Sequence, residues 1–278
     1  MNYPLDDLPD DVDFRWLEEI VQAAGDIALK HFRQVTTARK ADNTVVTIAD
    51  REVEAFLRDA LLQAFPADSL LGEELGAQRG NSRRLWAIDP IDGTATYAAG
   101  LPVWGVSVGI LQDWEPVAGI FYLPLLKELY LSHGNDALFN GRSIHVDASN
   151  HIDDESFLSV TSAAHRKYRI DFIGKTRALG STAANICYVA RGTAVAALLG
   201  RPSLWDIAGV LPALRVAGGD LRCLSGRPLD LAALADGHKC PDPVLAGAPW
   251  ALDYFSRRIE VLQQDPLCPN RDRRVPSV

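Results

Sequence analysis

Four acidic residues stand where apolar segments stop or start. Glu73 follows Leu70-Leu71-Gly72, Asp89 follows Trp86-Ala87-Ile88, Asp92 comes three residues later, and Asp206 opens an apolar helical segment. Carboxylates gathered in one place repel unless a cation sits between them. Hard cations such as Mg²⁺ take their ligands from carboxylates, carbonyls and water. The densest run is Trp86-Ala87-Ile88-Asp89-Pro90-Ile91-Asp92-Gly93-Thr94, where an apolar strand is expected to end at Asp89 because Pro90 cannot donate to a ladder. Two aspartates separated by two residues can then converge on one point, joined by the carbonyl of Ile91. The amides of Gly93 and Thr94, at the start of a short helix, offer a place for a phosphate oxygen.

Each acid also has a plainer account. Asp-Pro and Asp-Gly are common turn dipeptides. Glu73-Glu74 reads as a solvated strand end, Asp206 as a helix N-terminal charge, and Thr47 or Asp50 as an N-cap. What favours a shared site is the common position of the acids. If the strands ending at Glu73 and Asp89 are neighbours, both acids meet at one sheet edge. Asp206 then closes a cleft from the second half of the chain.

The elements that must position these residues follow from periodicity. Apolar spacing predicts an amphipathic helix over 12–33, capped at Asp10/Asp11, a polar loop over 36–43, and a second helix over 49–65. Short apolar runs then predict an antiparallel meander, with Asn140-Gly141 as a tight hairpin turn. From about residue 150 the pattern alternates: strand 157–161, helix 163–174, strand 177–179, helix 182–191, strand 194–199, helix 205–217. That alternation predicts α/β layering. A last helix is expected at 250–263. The division expected is an α+β half over 1–148 with most of the acids, a half over 149–265 with Asp206, and a mobile tail over 266–278.

Bulk properties exclude several classes. At 278 residues the chain can bury a sizeable core, and its net charge of −8 argues against nucleic-acid or anionic-membrane partners. Charge does not exclude an anionic substrate, because a bound cation inverts the local sign. The four cysteines form no CxxC pair or Cys/His cluster, so reduced thiols in a cytoplasmic protein are expected. The acidic N-terminus leads into no apolar signal segment, and no apolar run is long enough to span a membrane. The six histidines (31, 133, 145, 151, 165, 238) are scattered, and no Cys or His nucleophile motif stands out.

In order along the chain, Lys40-x-Asp42-x-Thr44-x-Val46-Thr47-x-Ala49-Asp50, Gly72-Glu73-Glu74, Trp86-x-Ile88-Asp89-Pro90-Ile91-Asp92-Gly93-Thr94 and Trp205-Asp206-Ile207-Ala208-Gly209 resemble the motifs of the inositol monophosphatase family. That family belongs to a superfamily with fructose-1,6-bisphosphatases and Li⁺-sensitive nucleotide phosphatases. Gly100-Leu101-Pro102 and Ala217-Gly218-Gly219 extend the match. The resemblance implies a layered α-β-α-β-α sandwich of the α+β class, a homodimer, and a small phosphorylated metabolite as substrate. It implies two or three Mg²⁺ ions held by Glu73, Asp89, the Ile91 carbonyl, Asp92 and Asp206. It also implies that Asp50 and Thr94 help Glu73 to orient and deprotonate the attacking water. Metal-activated water attacking in line, with no covalent intermediate, is the chemistry expected. Gly180-Ser181-Thr182 aligns with a substrate-pocket stretch, alongside Gly93, Thr94 and Asp206.

Two departures from the family pattern stand out. Ala95-Thr96-Tyr97 replaces the usual x-Asn-Phe, with Thr96 expected to supply the hydrogen bond and Tyr97 to fill the aromatic place. Leu199 stands where inositol-preferring members carry an acid seven positions before the motif aspartate. Leucine cannot bind ring hydroxyls, so histidinol phosphate, fructose 1,6-bisphosphate, a 3′-phosphonucleotide and NADP compete as substrates. Arg201 is either a cation for a second anionic group or a surface residue. A weakly catalytic regulatory binding partner is the reading of another class.

Overall fold

Apolar side chains recurring every three to four residues build two helices close to where periodicity placed them. The computed structural model describes residues 11–34, 38–39 and 45–262. The 36–43 loop apart from 38–39, the motif positions Lys40, Asp42 and Thr44, Asp10 and the 266–278 tail lie outside the described residues.

Helix α1 (Phe14–His31) is capped by Asp13, whose side chain accepts from the amides of Arg15 and Trp16, and not by Asp11. A small ribbon of β1 (Ala38–Arg39) and β2 (Val45–Val46) leads into α2 (Ile48–Ala64). Then come β3 (Ser69–Gly72), β4 (Gly76–Gln78), β5 (Arg84–Asp92), α3 (Thr94–Ala98), β6 (Gly105–Gln112), β7 (Glu115–Leu123), β8 (Glu128–His133), β9 (Asp136–Phe139) and β10 (Arg142–Ser143). Their sheet has the order β10-β9-β8-β7-β6-β5-β3-β4. It is the expected antiparallel meander except that β3 and β5 run parallel. Asn140 and Gly141 both take positive φ, as a two-residue hairpin turn requires.

The second half comprises β11 (Phe157–Val160), α4 (Ala164–Lys167), β12 (Tyr168–Ile170), β13 (Lys175–Arg177), α5 (Thr182–Ala190), β14 (Ala196–Gly200), α6 (Leu204–Ala208), α7 (Leu211–Val216), β15 (Asp220–Cys223), β16 (Val244–Gly247), α8 (Pro249–Ser256) and β17 (Ile259–Val261). Its sheet has the order β13-β11-β14-β16-β15. Three expectations are corrected. The 163–174 helix is one turn that gives way to β12. The 250–263 helix stops at Ser256, because the chain turns into β17 to pair with β12. The 205–217 helix is two short helices broken at Gly209-Val210.

Helices α1 and α2 cover one face of the large sheet, α5 to α7 lie between the sheets, and α8 covers the far face of the smaller one. Separate apolar cores fill the outer interfaces, and one continuous core runs between the two sheets. The result is the expected α-β-α-β-α layering.

Candidate metal centre

Strands β3 and β5 are parallel neighbours with Gly72 opposite Ile88, and the Glu73 amide donates to the Ile88 carbonyl at 3.3 Å. Glu73 and Asp89 therefore meet at one edge, as expected from two apolar strands ending in acids. Strand β5 does not stop at Asp89, however. Its ladder to β6 resumes with Asp92 opposite Gly105 after Asp89 opposite Ser107, so Pro90 and Ile91 face Val106 alone. Residues three apart on a regular strand point to opposite faces. The extra residue of this bulge resets the alternation and re-aims a side chain, a common device beside active sites. Oxygens of Asp89, Asp92 and Asp206 consequently lie within 4.8 Å of one another.

Asp206 arrives from the other half of the chain. It forms a capping box with Ser203 at the start of α6, accepting the Ser203 amide at 2.7 Å. Helix α6 reaches the sheet because glycines meet backbone there. A Cβ on Gly109 would sit 2.4 Å from the Ala208 carbonyl carbon, and one on Gly119 2.4 Å from the Gly209 oxygen. Asp206 is thus both the plain cap and a member of the cluster.

Asp92 is anchored by α5. The Thr182 amide donates to Oδ1 at 3.0 Å, the Ala183 amide to Oδ2 at 2.8 Å, and the Ser181 hydroxyl also donates to Oδ2. The stretch expected to line a substrate pocket therefore contacts an acid of the cluster directly. Gly93 caps α3 with positive φ, and the Gly180 carbonyl accepts from Thr96 Oγ1 at 3.2 Å. Tyr97 is fully buried, with its hydroxyl donating to the Ala28 carbonyl. Both replacements in the Ala95-Thr96-Tyr97 stretch do the work expected of them.

Asp50 is 0% exposed at the start of α2. Its Oδ2 accepts the Thr47 amide at 2.8 Å and the Thr47 hydroxyl at 2.6 Å, while Oδ1 lies 3.2 Å from Thr94 Oγ1. Thr94 Oγ1 is also 3.1 Å from the Ile91 carbonyl, so one proton serves two acceptors. The side chain of Ile91 packs in the apolar core.

Electrostatics reflect crowding. Burial first, then the charges of Glu73, Asp92, Asp206 and Asp50, hold Asp89 well above the usual carboxylate range. Burial also pushes Asp206 up to about 8, with Asp92 and Glu73 adding to it. It pushes Asp92 up to about 6, against the pull of its hydrogen bonds from Ser181, Ala183 and Thr182. Buried acids that repel one another this way fit a divalent cation, which would relieve both costs. The donors that the structure gathers for it are oxygens of Asp89, Asp92 and Asp206.

Two residues escaped the sequence reading, Glu54 and Lys239. Glu54, four residues after Asp50, is 0% exposed beside the Gly72-Glu73-Glu74 turn. Its place on the Asp50 face of α2 was the available signal. Arg201 is exposed, in keeping with the surface alternative, and its Nε donates to the Cys240 carbonyl at 2.8 Å. The Cys240 amide donates to the Pro202 carbonyl at 2.7 Å, and Gly237 packs on Trp205. This loop carries exposed Lys239, whose charge favours ionised Asp206. Leu199 is a core residue, 6% exposed.

A layered fold with buried acids at adjoining strand ends defines a class of metal-dependent phosphatase. Residues 12–249 match the inositol monophosphatase family, and the chain belongs to it. It is 30% identical over 231 residues to the fructose-1,6-bisphosphatase/inositol-1-monophosphatase of Aquifex aeolicus, covering 78% of this chain and 87% of that protein. It is 32% identical over 241 residues to the histidinol-phosphatase of Streptomyces coelicolor, covering 80% and 90%. A solved inositol monophosphatase from Thermotoga maritima superposes with a TM-score of 0.76 at 24% identity, over 88% of this chain and 95% of that one, and shows the same fold. The chain is accordingly a phosphomonoester hydrolase.

Proposed function

We propose that the cation is Mg²⁺, two or three ions per site, and that the substrate is a small phosphorylated metabolite carrying a second anionic group. The observation that carries the metal reading is the convergence of three aspartate oxygens within 4.8 Å, with Glu73, just past the end of neighbouring β3, and the Ile91 carbonyl read as further ligands. When bound, Mg²⁺ neutralises phosphoryl charge and acidifies water. The protein's own residues do the rest. Glu73 and Asp50 orient the attacking water and take its proton, and burial raises Asp50 above its ordinary value, which makes it a better acceptor. Thr94 and Thr47 hold the two Asp50 oxygens in place. Gly93, Thr94 and the Gly180-Ser181-Thr182 stretch border the phosphate, with Asp206 beside the leaving oxygen.

Lys239 supports the choice of substrate, because it places a positive charge near Asp206 on a loop fastened at Pro202 and Trp205. Fructose 1,6-bisphosphate and a 3′-phosphonucleotide suit that rim better than inositol monophosphate, whereas histidinol phosphate brings a cation there. Inhibition by Li⁺ and a homodimer follow from family membership as part of this reading, and a cytoplasmic location from cysteines that form no disulfide framework. No helix among the described residues is long and apolar enough to cross a membrane. The deciding measurement is phosphate release from a panel of these esters with Mg²⁺ titrated from zero. Turnover that needs Mg²⁺ and favours the doubly anionic esters supports the reading. Well-folded protein that turns over none of them would favour the regulatory role instead.

A further inference from the structure

Glu54 is a buried carboxylate that the chemistry above does not use. It follows Asp50 by four residues, so the two acids share a face of α2. Its Oε2 accepts the Glu74 amide at 2.7 Å and its Oε1 the Leu75 amide at 3.0 Å. On the other side of Glu73, a Cβ on Gly72 would fall 1.9 Å from Glu54 Oε1, so the strand end packs directly against the carboxylate. Arg58, one turn further on, stands 3.4 Å from Glu54 Oε1 and donates to the Gly76 carbonyl at 2.9 Å and to Gln78 Oε1 at 3.3 Å. Glu54 and Arg58 thus grip the turn between β3 and β4 from Gly72 to Gln78, and Glu73 lies inside that grip.

The choice of residue is informative. Burial raises the pKa of Glu54, partly offset by the Glu74 and Leu75 amides and by Arg58. An apolar side chain would pack the same volume without that cost. What a carboxylate adds is two acceptors for two successive amides, which fixes the peptide planes just after Glu73. Its neighbour on the same helix face, Asp50, is held by Thr47 and Thr94, so a single helix face sets both the edge acid and the group beside it.

We propose that Glu54 is a positioning residue for Glu73: it holds the backbone on both sides so that the Glu73 carboxylate enters the metal centre in one orientation. This rests on the reading of Glu73 as a ligand. The test is calorimetric titration of Mg²⁺ into metal-free Glu54→Gln, with Asp68→Asn as a control. Asp68 is a buried acid at the opposite end of β3, bonded to Arg84 and Trp86, and remote in role from the centre. In Glu54→Gln the new amide faces a backbone N–H, so one of the two grips is lost. The expected result is Mg²⁺ affinity about 10- to 100-fold weaker, the range typical of residues that orient metal ligands. The kcat at subsaturating Mg²⁺ should fall with it, while the substrate KM at saturating Mg²⁺ changes little. Asp68→Asn should lower the melting temperature yet leave Mg²⁺ affinity unchanged. Equal affinity in wild type and Glu54→Gln, or an equal loss in Asp68→Asn, would overturn the positioning role while leaving the phosphatase reading intact. Wild-type protein that takes up no Mg²⁺ would overturn both. If Glu54→Gln does not fold, Arg58→Gln loosens the carboxylate without removing its amide bonds. A several-fold weaker Mg²⁺ affinity is then expected, and an unchanged one overturns the proposal.

Discussion

At the scale of single residues, Asp92 and Thr94 show how one side chain comes to serve two needs. Asp92 holds the start of α5 through Ser181, Thr182 and Ala183 while pointing an oxygen toward Asp89 and Asp206. Asp92→Asn keeps the size but puts an amide where backbone donors point. Turnover should fall to background with the circular dichroism spectrum unchanged, and near-normal activity would refute the metal assignment. Thr94→Val removes the hydroxyl that steadies Asp50. A loss of roughly 10²-fold in kcat is expected for a group assisting proton transfer, with KM little altered, measured by steady-state phosphate release. Leu199→Glu is a poor probe of substrate choice, since it would bury an unpaired carboxylate in the core. Lys239→Ala tests the same question at the exposed rim, where KM for a doubly anionic ester should rise several-fold and that for a singly charged one should not.

Elements decide whether those residues meet. The bulge in β5 gives Asp89 and Asp92 a common side, and the glycine contacts of β6 and β7 with α6 let Asp206 approach. Gly119→Ala forces a methyl group into the backbone of Gly209. A cost of about 1–3 kcal/mol is expected from such overpacking, read as a lower midpoint in urea, together with weaker Mg²⁺ binding because Asp206 withdraws. If stability falls and Mg²⁺ affinity does not, α6 is not what places Asp206. The starts of α2 and α6 were legible beforehand, with Thr47 or Asp50 as an N-cap and Asp206 as a helix N-terminal charge, and the structure makes each a capping box of residues three apart. The single turn at Ala164–Lys167 was not, because its continuation as β12 depends on pairing with β17, some ninety residues later.

For the whole molecule, the acid cluster is a liability without its cation. Asp206 has an ordinary value of 3.8 and is pushed up to about 8 by burial, facing Asp92, Glu73 and Lys239. Between those two values the folded metal-free chain holds more protons than the unfolded one, so its stability falls as pH rises through the window. Melting of EDTA-treated protein should therefore move to lower temperature from pH 6 to pH 8.5, and Mg²⁺ should flatten that trend. Asp89→Asn relieves the same repulsion, so the metal-free variant should melt a few degrees above metal-free wild type while losing the rise that Mg²⁺ produces. A metal-free melting temperature independent of pH would contradict the crowding.

The sequence by itself determined which residue types stand at the apolar strand ends, where the two N-terminal helices and the meander lie, and which family the motifs belong to. Those features are written in neighbouring residues and in periodicity. Only the tertiary structure decided that Asp89 and Asp92 share a side, that Ser181 to Ala183 grip Asp92, and that Glu54 grips the turn carrying Glu73. Only there, too, does Arg201 Nε meet the Cys240 carbonyl, where the sequence had left the residue as either a cation for a second anionic group or a surface residue. The reason is physical: a bulge, a helix N-terminus received by a distant acid and a glycine-to-backbone contact are each defined by what lies across the gap. No local pattern of side chains encodes that partner.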